Sequence, residues 1–288
     1  MKALVFGANG QDGAYLVEAL QARGIEALGF SRSGPWARVD VANGAEVDAT
    51  VALHRPDFVF QLAARSTTRH DALFENHATI STGALNVLEA VATHAPSARV
   101  FLAGSGLQFE NRGQPIDEDT PFAATSAYAV ARIQSVYAAR YYRARGLRAY
   151  VGYLFHHESP RRGPGHLSRE IAEAARRIAG GDRTPFEIGD PTVVKEWTFA
   201  GDVVAGILAL VTQDAVAEAV IGSGEGHAVT EWLDACFSHV GLAWRDHVRQ
   251  KPGFRAEYPV LVSNPARLRA LGWQPRVGLE ELAAMMMD

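Results

Sequence analysis

The chain of 288 residues has one cysteine, Cys236, so no intrachain disulfide can staple the fold, and a reducing compartment is its natural home. On a helix that starts near Thr230, this cysteine reads as a small buried apolar residue. Long apolar runs are also missing. The first, Ala3-Leu4-Val5-Phe6, is broken by glycine before it reaches the length of a signal-peptide core, let alone the ~20 residues of a membrane span. A soluble, cytoplasmic protein without membrane contact is expected. Basic charge is not in excess: 28 Lys and Arg face 32 Asp and Glu, a net charge of -4, which argues against a broad basic field for nucleic acid. Any anionic ligand must therefore be met by a local cluster. His70, His77 and His94 stand at no metal-ligand spacing with carboxylates or the cysteine, so no metal site is expected. Neither internal repeats nor low-complexity tracts occur.

What the chain does have is a composition that is 48% hydrophobic, enough for one large domain or a domain with a smaller lobe. Short runs rich in β-branched and aromatic residues lie at 3–6, 25–30, 58–62, 100–103 and 147–154. Between most of them, over 12–22, 76–94 and 127–145, apolar residues recur at spacings of three and four. Strand and helix in alternation predict an α/β fold, a Rossmann-type doubly wound parallel sheet. After about residue 155 the pattern changes to a Pro/Gly/Arg-rich loop at 159–165, a helix near 167–179, and short elements separated by Pro252, Pro259, Pro265 and Pro275. The expected organisation is a dinucleotide domain over 1–155 and a smaller C-terminal substrate-binding lobe over 156–288, with about 192–230 returning to the first domain. Such a lobe would lie over the carboxyl end of the sheet, where ligands bind in open α/β folds.

Gly7-Ala8-Asn9-Gly10-Gln11-Asp12-Gly13 follows the first strand directly and opens the first helix. Glycines at this spacing permit a tight turn and close backbone approach, so the helix N-terminus can receive a pyrophosphate. Gly7, Asn9, Gly10, Gln11, Asp12 and Gly13 are therefore candidate cofactor-binding residues. The second strand ends in Ser31 and Arg32 where a carboxylate would select an unphosphorylated ribose, so these two point to a 2′-phosphate and to NADP(H). Asp40 is a candidate adenine contact; Leu62, at the end of the third run, is a candidate cofactor contact, and Ala63 and Ala64 after it have little side chain, so the cofactor can pass closely.

Tyr128 and Arg132 lie four apart on a predicted helix and so share a face. A cation beside a phenol favours its deprotonated form, which suits proton exchange. Arginine supplies the charge but cannot give up its own proton.

The chain resembles the extended short-chain dehydrogenase/reductases, and among them the enzymes acting on GDP-mannose and its derivatives. "GANGQDGAYLVEAL" from Gly7, "HESPRRG" from His157 and "GEGHAVTEW" from Gly224 are similar to GDP-mannose 4,6-dehydratases. The short connection from Phe30 to Asp40 and "EYP" from Glu257 are more similar to GDP-6-deoxy-4-keto-mannose reductases. The resemblance implies Tyr128 as proton donor, Arg132 in the place of a lysine that contacts the nicotinamide ribose, and Ser105 as the hydroxyl that orients substrate. Two positions depart from the family pattern. Arg132 replaces the lysine, and Leu107 stands where the resemblance implies a glutamate. Dehydration needs an acid/base group beyond tyrosine to take the C5 proton and help water leave C6, and leucine cannot serve. Reduction of a 4-keto group asks only for hydride, a proton and an orienting hydroxyl.

The same resemblance implies nucleotide-sugar contacts at His156, Arg161, Arg169, Lys195, Arg255 and Glu257. It also implies a homodimer paired through the tyrosine helix and the helix before it. The function expected is NADPH-dependent reduction of a nucleotide-linked 4-keto-6-deoxy sugar, GDP-linked by preference. The alternatives are a GDP-mannose 4,6-dehydratase and a catalytically impaired protein that binds NADP and nucleotide sugar.

Overall fold

The computed structural model describes residues 1–288. Its first part runs β1 (Lys2–Phe6), α1 (Gln11–Gln21), β2 (Glu26–Ser31), β3 (Ala37–Arg38), α2 (Gly44–His54), β4 (Phe58–Gln61), α3 (Leu73–Asn76), α4 (Gly83–His94), β5 (Arg99–Ser105), α5 (Ala127–Ala144) and β6 (Arg148–Leu154). The second part runs β7 (His157–Glu158), α6 (Leu167–Ala179), β8 (Phe186–Ile188), β9 (Val194–Lys195), β10 (Thr198–Phe199), α7 (Ala200–Val211), β11 (Glu218–Ile221), β12 (His227–Ala228), α8 (Val229–His239), β13 (Val248–Gln250), β14 (Val260–Leu261), α9 (Ala266–Arg269) and α10 (Leu279–Met287). No helix is long and apolar enough to cross a membrane.

Seven strands form one parallel sheet in the order β11-β6-β5-β4-β1-β2-β3. This is a Rossmann-type doubly wound sheet, and its order reverses beside β1. The sequence pattern missed β3 and β11. β3 is two exposed residues on the edge and has no apolar run to announce it. β11 is a four-residue edge strand beyond the lobe boundary that the composition suggested. The central strands are buried on both faces, β4 and β5 almost throughout, which is why they read as continuous apolar runs. α2, α4 and α5 pack Val47, Val51, Leu88, Val91, Val136 and Ala139 against one face. α1 and α7 pack Leu16, Leu20, Val203 and Ile207 against the other. A third core joins α6, α8 and α10 around Trp197 and Trp232, whose rings stack 4.6 Å apart with planes 3° from parallel.

The predicted helix over 76–94 is longer and less regular than its spacing suggests. It begins at α3 and passes through a π turn, His77–Thr82, before continuing as α4. Here the Gly83 N–H bonds the Ala78 carbonyl five residues back, and the Thr79 carbonyl accepts from Gln61 Nε2 at 3.1 Å instead. Gly83 permits this approach, since a Cβ there would lie 3.1 Å from Gln61 Nε2 and 3.0 Å from Val41. The wide turn brings Thr79 to a groove beside the glycine turn and Ile80 against Tyr128.

Candidate active site

The glycine turn after β1 is built by close contact. Gly7 has φ +89°, and a Cβ on it would lie 2.6 Å from the Ala63 nitrogen; one on Gly13 would lie 2.3 Å from the Gly7 carbonyl oxygen. Gly10 caps α1 without a side chain, which leaves the first-turn N–H groups open to an anion. A groove of about 250 Å³ runs along this turn past Asn9, Ser31, Arg32, Asp40, Ala63 and Thr79. Asn9 Nδ2 donates to Ser33 Oγ at 3.1 Å, and Arg32 is held by Glu75 at 3.3 Å, with Asp40 at 4.0 Å. An open helix N-terminus, glycines with no room for a Cβ and a polar groove together fit a dinucleotide. Gln11 and Asp12 do not line this groove. Gln11 is buried, donating to the His157 carbonyl at 3.3 Å and accepting from Ser159 Oγ at 2.8 Å, while Asp12 turns into the neighbouring cavity.

That cavity, also about 250 Å³, joins the groove through Leu62 and Ala64, which line both. Ser105, Leu107, Tyr128 and Arg132 line it together. The end of β5 turns through a short 3-10 segment in which Ser105 Oγ accepts from the Leu107 N–H at 3.2 Å and Gln108 Oε1 accepts from the Ser105 N–H at 2.9 Å. α5 begins beside it, capped by Ser126, whose Oγ accepts from the Ala129 N–H at 3.1 Å. One turn in, the Arg132 guanidinium lies 5.0 Å from the centre of the Tyr128 ring and donates to the Ala103 carbonyl. Arg132 is buried, forms no ion pair, and its Nε has no partner. Burying a charge without a counter-ion is costly, and an anionic or polar ligand in the cavity would offset that cost.

The opposite wall carries a cluster of buried charges. The Asp12 carboxylate lies 2.9 Å from His157 Nε2, and His157 Nδ1 faces the Phe155 carbonyl at 2.6 Å. Burial alone would neutralise both groups, but the charge and hydrogen bond of each partner prevail. The carboxyl is held below, and the imidazole above, its ordinary value. Glu158 accepts from Arg162 Nε at 2.6 Å and meets His156 Nε2 at 2.9 Å. Burial raises this carboxyl, and His156 and Arg162 more than reverse it, holding it well below the carboxylate range. Burial and Lys195 pull His156 down, yet acceptors stand against both its nitrogens, Glu158 and the Glu196 carbonyl at 2.6 Å; only the charged ring satisfies both.

The remaining candidates are dispersed. Lys195 is buried with its Nζ 4.9 Å from the centre of the Trp197 ring, lining a separate cavity of about 290 Å³ with Asp190 and Phe254. Glu257 lies between that cavity and a larger one of about 540 Å³ that touches Leu107, and it accepts from Thr68 Oγ1 at 2.7 Å. Arg161 points away, onto Glu18 at 2.8 Å and over the Tyr15 ring. Arg169 pairs with Glu173 and donates to the Arg162 carbonyl at 2.7 Å, and Arg255 is exposed. None of these three lines the cavity of Tyr128; Arg162, Glu158, His157, His166 and Tyr258 do. Adjacent arginines look alike in sequence, and only the turn after β7 decides that Arg162 faces inward. The Glu158–Arg162 spacing of four was the available signal.

Comparison with known proteins places this architecture. Residues 4–286 match the profile of the GDP-mannose 4,6 dehydratase family. GDP-mannose 4,6 dehydratase 1 of Arabidopsis thaliana is 35% identical over 99% of this chain and 88% of its own length, and the human enzyme of that name is 28% identical over 99% and 90%. Among solved structures, UDP-glucose 4-epimerase of Thermus thermophilus in complex with NAD superposes with a TM-score of 0.86 at 25% identity, covering 100% of this chain and 98% of that one. RMD of Pseudomonas aeruginosa, complexed with NADPH, shares the fold with a TM-score of 0.86 at 21% identity, covering 99% and 96%. With its glycine turn, its Ser105–Tyr128 cavity and a match along nearly its full length, this chain belongs to the GDP-mannose 4,6 dehydratase family.

Proposed function

We propose that the protein reduces a nucleotide-linked 4-keto-6-deoxy sugar, GDP-linked by preference, at the expense of NADPH. The observation that carries this reading is the acid content of the cavity. Leu107 occupies the wall beside Ser105 and Tyr128, and the two carboxylates that line the cavity, Asp12 and Glu158, are both committed to cationic partners. Neither carboxylate is free to take a C5 proton and help water leave C6, which dehydration requires. With hydride supplied by the dinucleotide, reduction of a ketone asks of the protein only what the cavity holds. Ser105 Oγ orients the carbonyl oxygen, Tyr128 donates the proton to it, and Arg132 holds positive charge beside the phenol.

The groove along Gly7, Asn9, Gly10 and Ala63 would receive the dinucleotide, and Ser31 and Arg32, which also line it, would meet a 2′-phosphate. When bound, NADPH supplies the hydride that reaches C4 of the sugar. Lys195 is the buried, unpaired cation available for the substrate diphosphate, and the cavity it lines with Phe254 and Asp190 would take the purine. A homodimer through α4 and α5 is supported by exposed Leu85, Tyr137 and Tyr141 on those helices.

A second reading, GDP-mannose 4,6-dehydratase, is favoured by the family match and by the name of the 35% identical relative. One experiment separates them. The protein is incubated with NADPH and GDP-4-keto-6-deoxymannose while nicotinamide absorbance is followed, and separately with GDP-mannose and NADP while a keto sugar lighter by one water is sought by mass spectrometry. Loss of absorbance with wild type but not with Tyr128→Phe is expected. Product from GDP-mannose alone would replace the reductase reading with the dehydratase.

A further inference from the structure

A chain of buried and half-buried polar contacts leads from the glycine turn to the smaller lobe. Asp12, in the first turn of α1, holds His157 Nε2 at 2.9 Å. Its neighbour Gln11 donates to the His157 carbonyl and accepts from Ser159 Oγ. Arg162 donates to the same carbonyl and to Glu158, Glu158 meets His156, and His156 meets the Glu196 carbonyl. The Glu196 carboxylate then accepts from the N–H groups of Ser263, at 2.5 Å, and Gly224, at 3.1 Å. The path thus joins the helix N-terminus that receives a pyrophosphate to the elements that frame the sugar-nucleotide side.

Its middle crosses a segment with little order of its own. From Ser159 to His166 the chain carries Pro160, Gly163, Pro164 and Gly165, and it forms turns and coil only. The inward contacts of Ser159 and Arg162 tie that loop to the fold. Ordering such a loop costs conformational entropy, and a ligand that steadies one end of the tie lowers the cost of binding at the other.

We propose that the Asp12–His157 pair is a positioning link between the two halves of the site, so that an occupied dinucleotide groove tightens nucleotide-sugar binding in the cavity, and the reverse. This rests on the reading of the site as one for NADP(H) and a nucleotide diphosphate. Asp12 acts through the start of α1, and His157 acts through the carbonyl it offers to Gln11 and Arg162. A second tie between the same two segments, Arg161 to Glu18, lies at the surface outside the cavity and supplies the control.

The test uses binding rather than turnover. The dissociation constant of NADPH is measured by its fluorescence with and without saturating GDP, and that of GDP by calorimetry with and without saturating NADPH. In wild type each ligand should tighten the other about fivefold or more, by the same factor in both directions. Asp12→Asn keeps the side chain's shape and should bring that factor close to one, as should His157→Gln, which serves if the first variant does not fold. Glu18→Gln should keep the wild-type factor. A factor of one in wild type, an unchanged factor in both link variants, or equal loss in Glu18→Gln would overturn the proposal. A protein that couples the ligands but reduces no keto sugar would sink the proposed reaction and leave the link standing; one that reduces the sugar with independent binding would do the opposite.

Discussion

Arg132 covers one face of the Tyr128 ring at 5.0 Å and is anchored to the Ala103 carbonyl at the end of β5, so the cation and the phenol are held as one unit. Charge and anchor are separable. Tyr128→Phe should lower the rate of keto-sugar reduction by about 10²–10⁴, the range for losing a positioned acid. Arg132→Lys should retain most of the rate, because charge is kept, whereas Arg132→Met should lose it and leave the Ala103 carbonyl without its donor. Steady-state kinetics and thermal melting of the three variants check this; equal rates for the lysine and methionine variants would show that the charge is idle.

Leu107→Glu places a carboxyl where the wall is now apolar, packed near Ile80, Tyr128 and Ala131. The variant should convert GDP-mannose to a product lighter by one water, which wild type should not do. It should also lose about 1–3 kcal/mol of stability, the cost of bringing a polar group into that contact. Mass spectrometry of the product and chemical denaturation measure the two effects.

Lys195 offers a pH signature. Burial pulls its ammonium down to about 8, with the nearby Glu158 only partly opposing that fall. Between pH 8 and its ordinary value near 10.5 the unfolded chain holds a proton that the folded chain has released, so stability gains from this group as pH rises through that window. Below pH 8 the burial penalty is fully present. Lys195→Met should therefore be more stable than wild type at pH 7 by up to about 3 kcal/mol, with the gap closing towards pH 10. If the amine meets a diphosphate, GDP binding at pH 8.5 should take up a proton in wild type and not in the variant, which calorimetry in buffers of different ionisation enthalpy detects.

Arg32 is the only cation among the residues that line the dinucleotide groove. Arg32→Ala should raise the KM for NADPH by about 10- to 100-fold, the worth of a charge-assisted hydrogen bond, and change that for NADH little. Equal effects on the two cofactors would assign Arg32 to its ion pair with Glu75 alone.

Gly13→Ala should abolish dinucleotide binding or folding, because its Cβ would meet backbone atoms at 2.3 and 2.6 Å that cannot move without opening the turn. Gly24→Ala, a position with open space but φ +71°, should cost only backbone strain, on the order of 1 kcal/mol. Fluorescence of bound NADPH and thermal melting separate the two.

Local chemistry made part of this molecule legible. Short apolar runs identified β1, β2, β4, β5 and β6, because strands inside a sheet leave a signal in composition, whereas β11, as long as β4 and nearly as buried, lay beyond the suggested lobe boundary. The glycines of the first turn were readable because nothing else fits their contacts, and Tyr128 and Arg132 because helical spacing fixes a shared face. β3 was hidden, since two exposed edge residues need no apolar pattern. The π turn was hidden because it is set by what Thr79 and Gln61 do together, 18 residues apart.

Residue types and their spacing are enough to establish the parallel α/β architecture, the glycine turn, the shared face of Tyr128 and Arg132 and, through Leu107, an apolar position beside Ser105. Which charges face inward is settled by the packing of distant segments. That packing sent Arg161 to the surface and Arg162 into the cavity, turned Asp12 from the groove to His157, and buried Arg132 without a counter-ion. The reason is physical: spacing along one element places a side chain on a face, but the partner that neutralises a buried charge comes from a distant segment. Asp12 and His157, 145 residues apart, meet only once β7 lies against the first turn of α1.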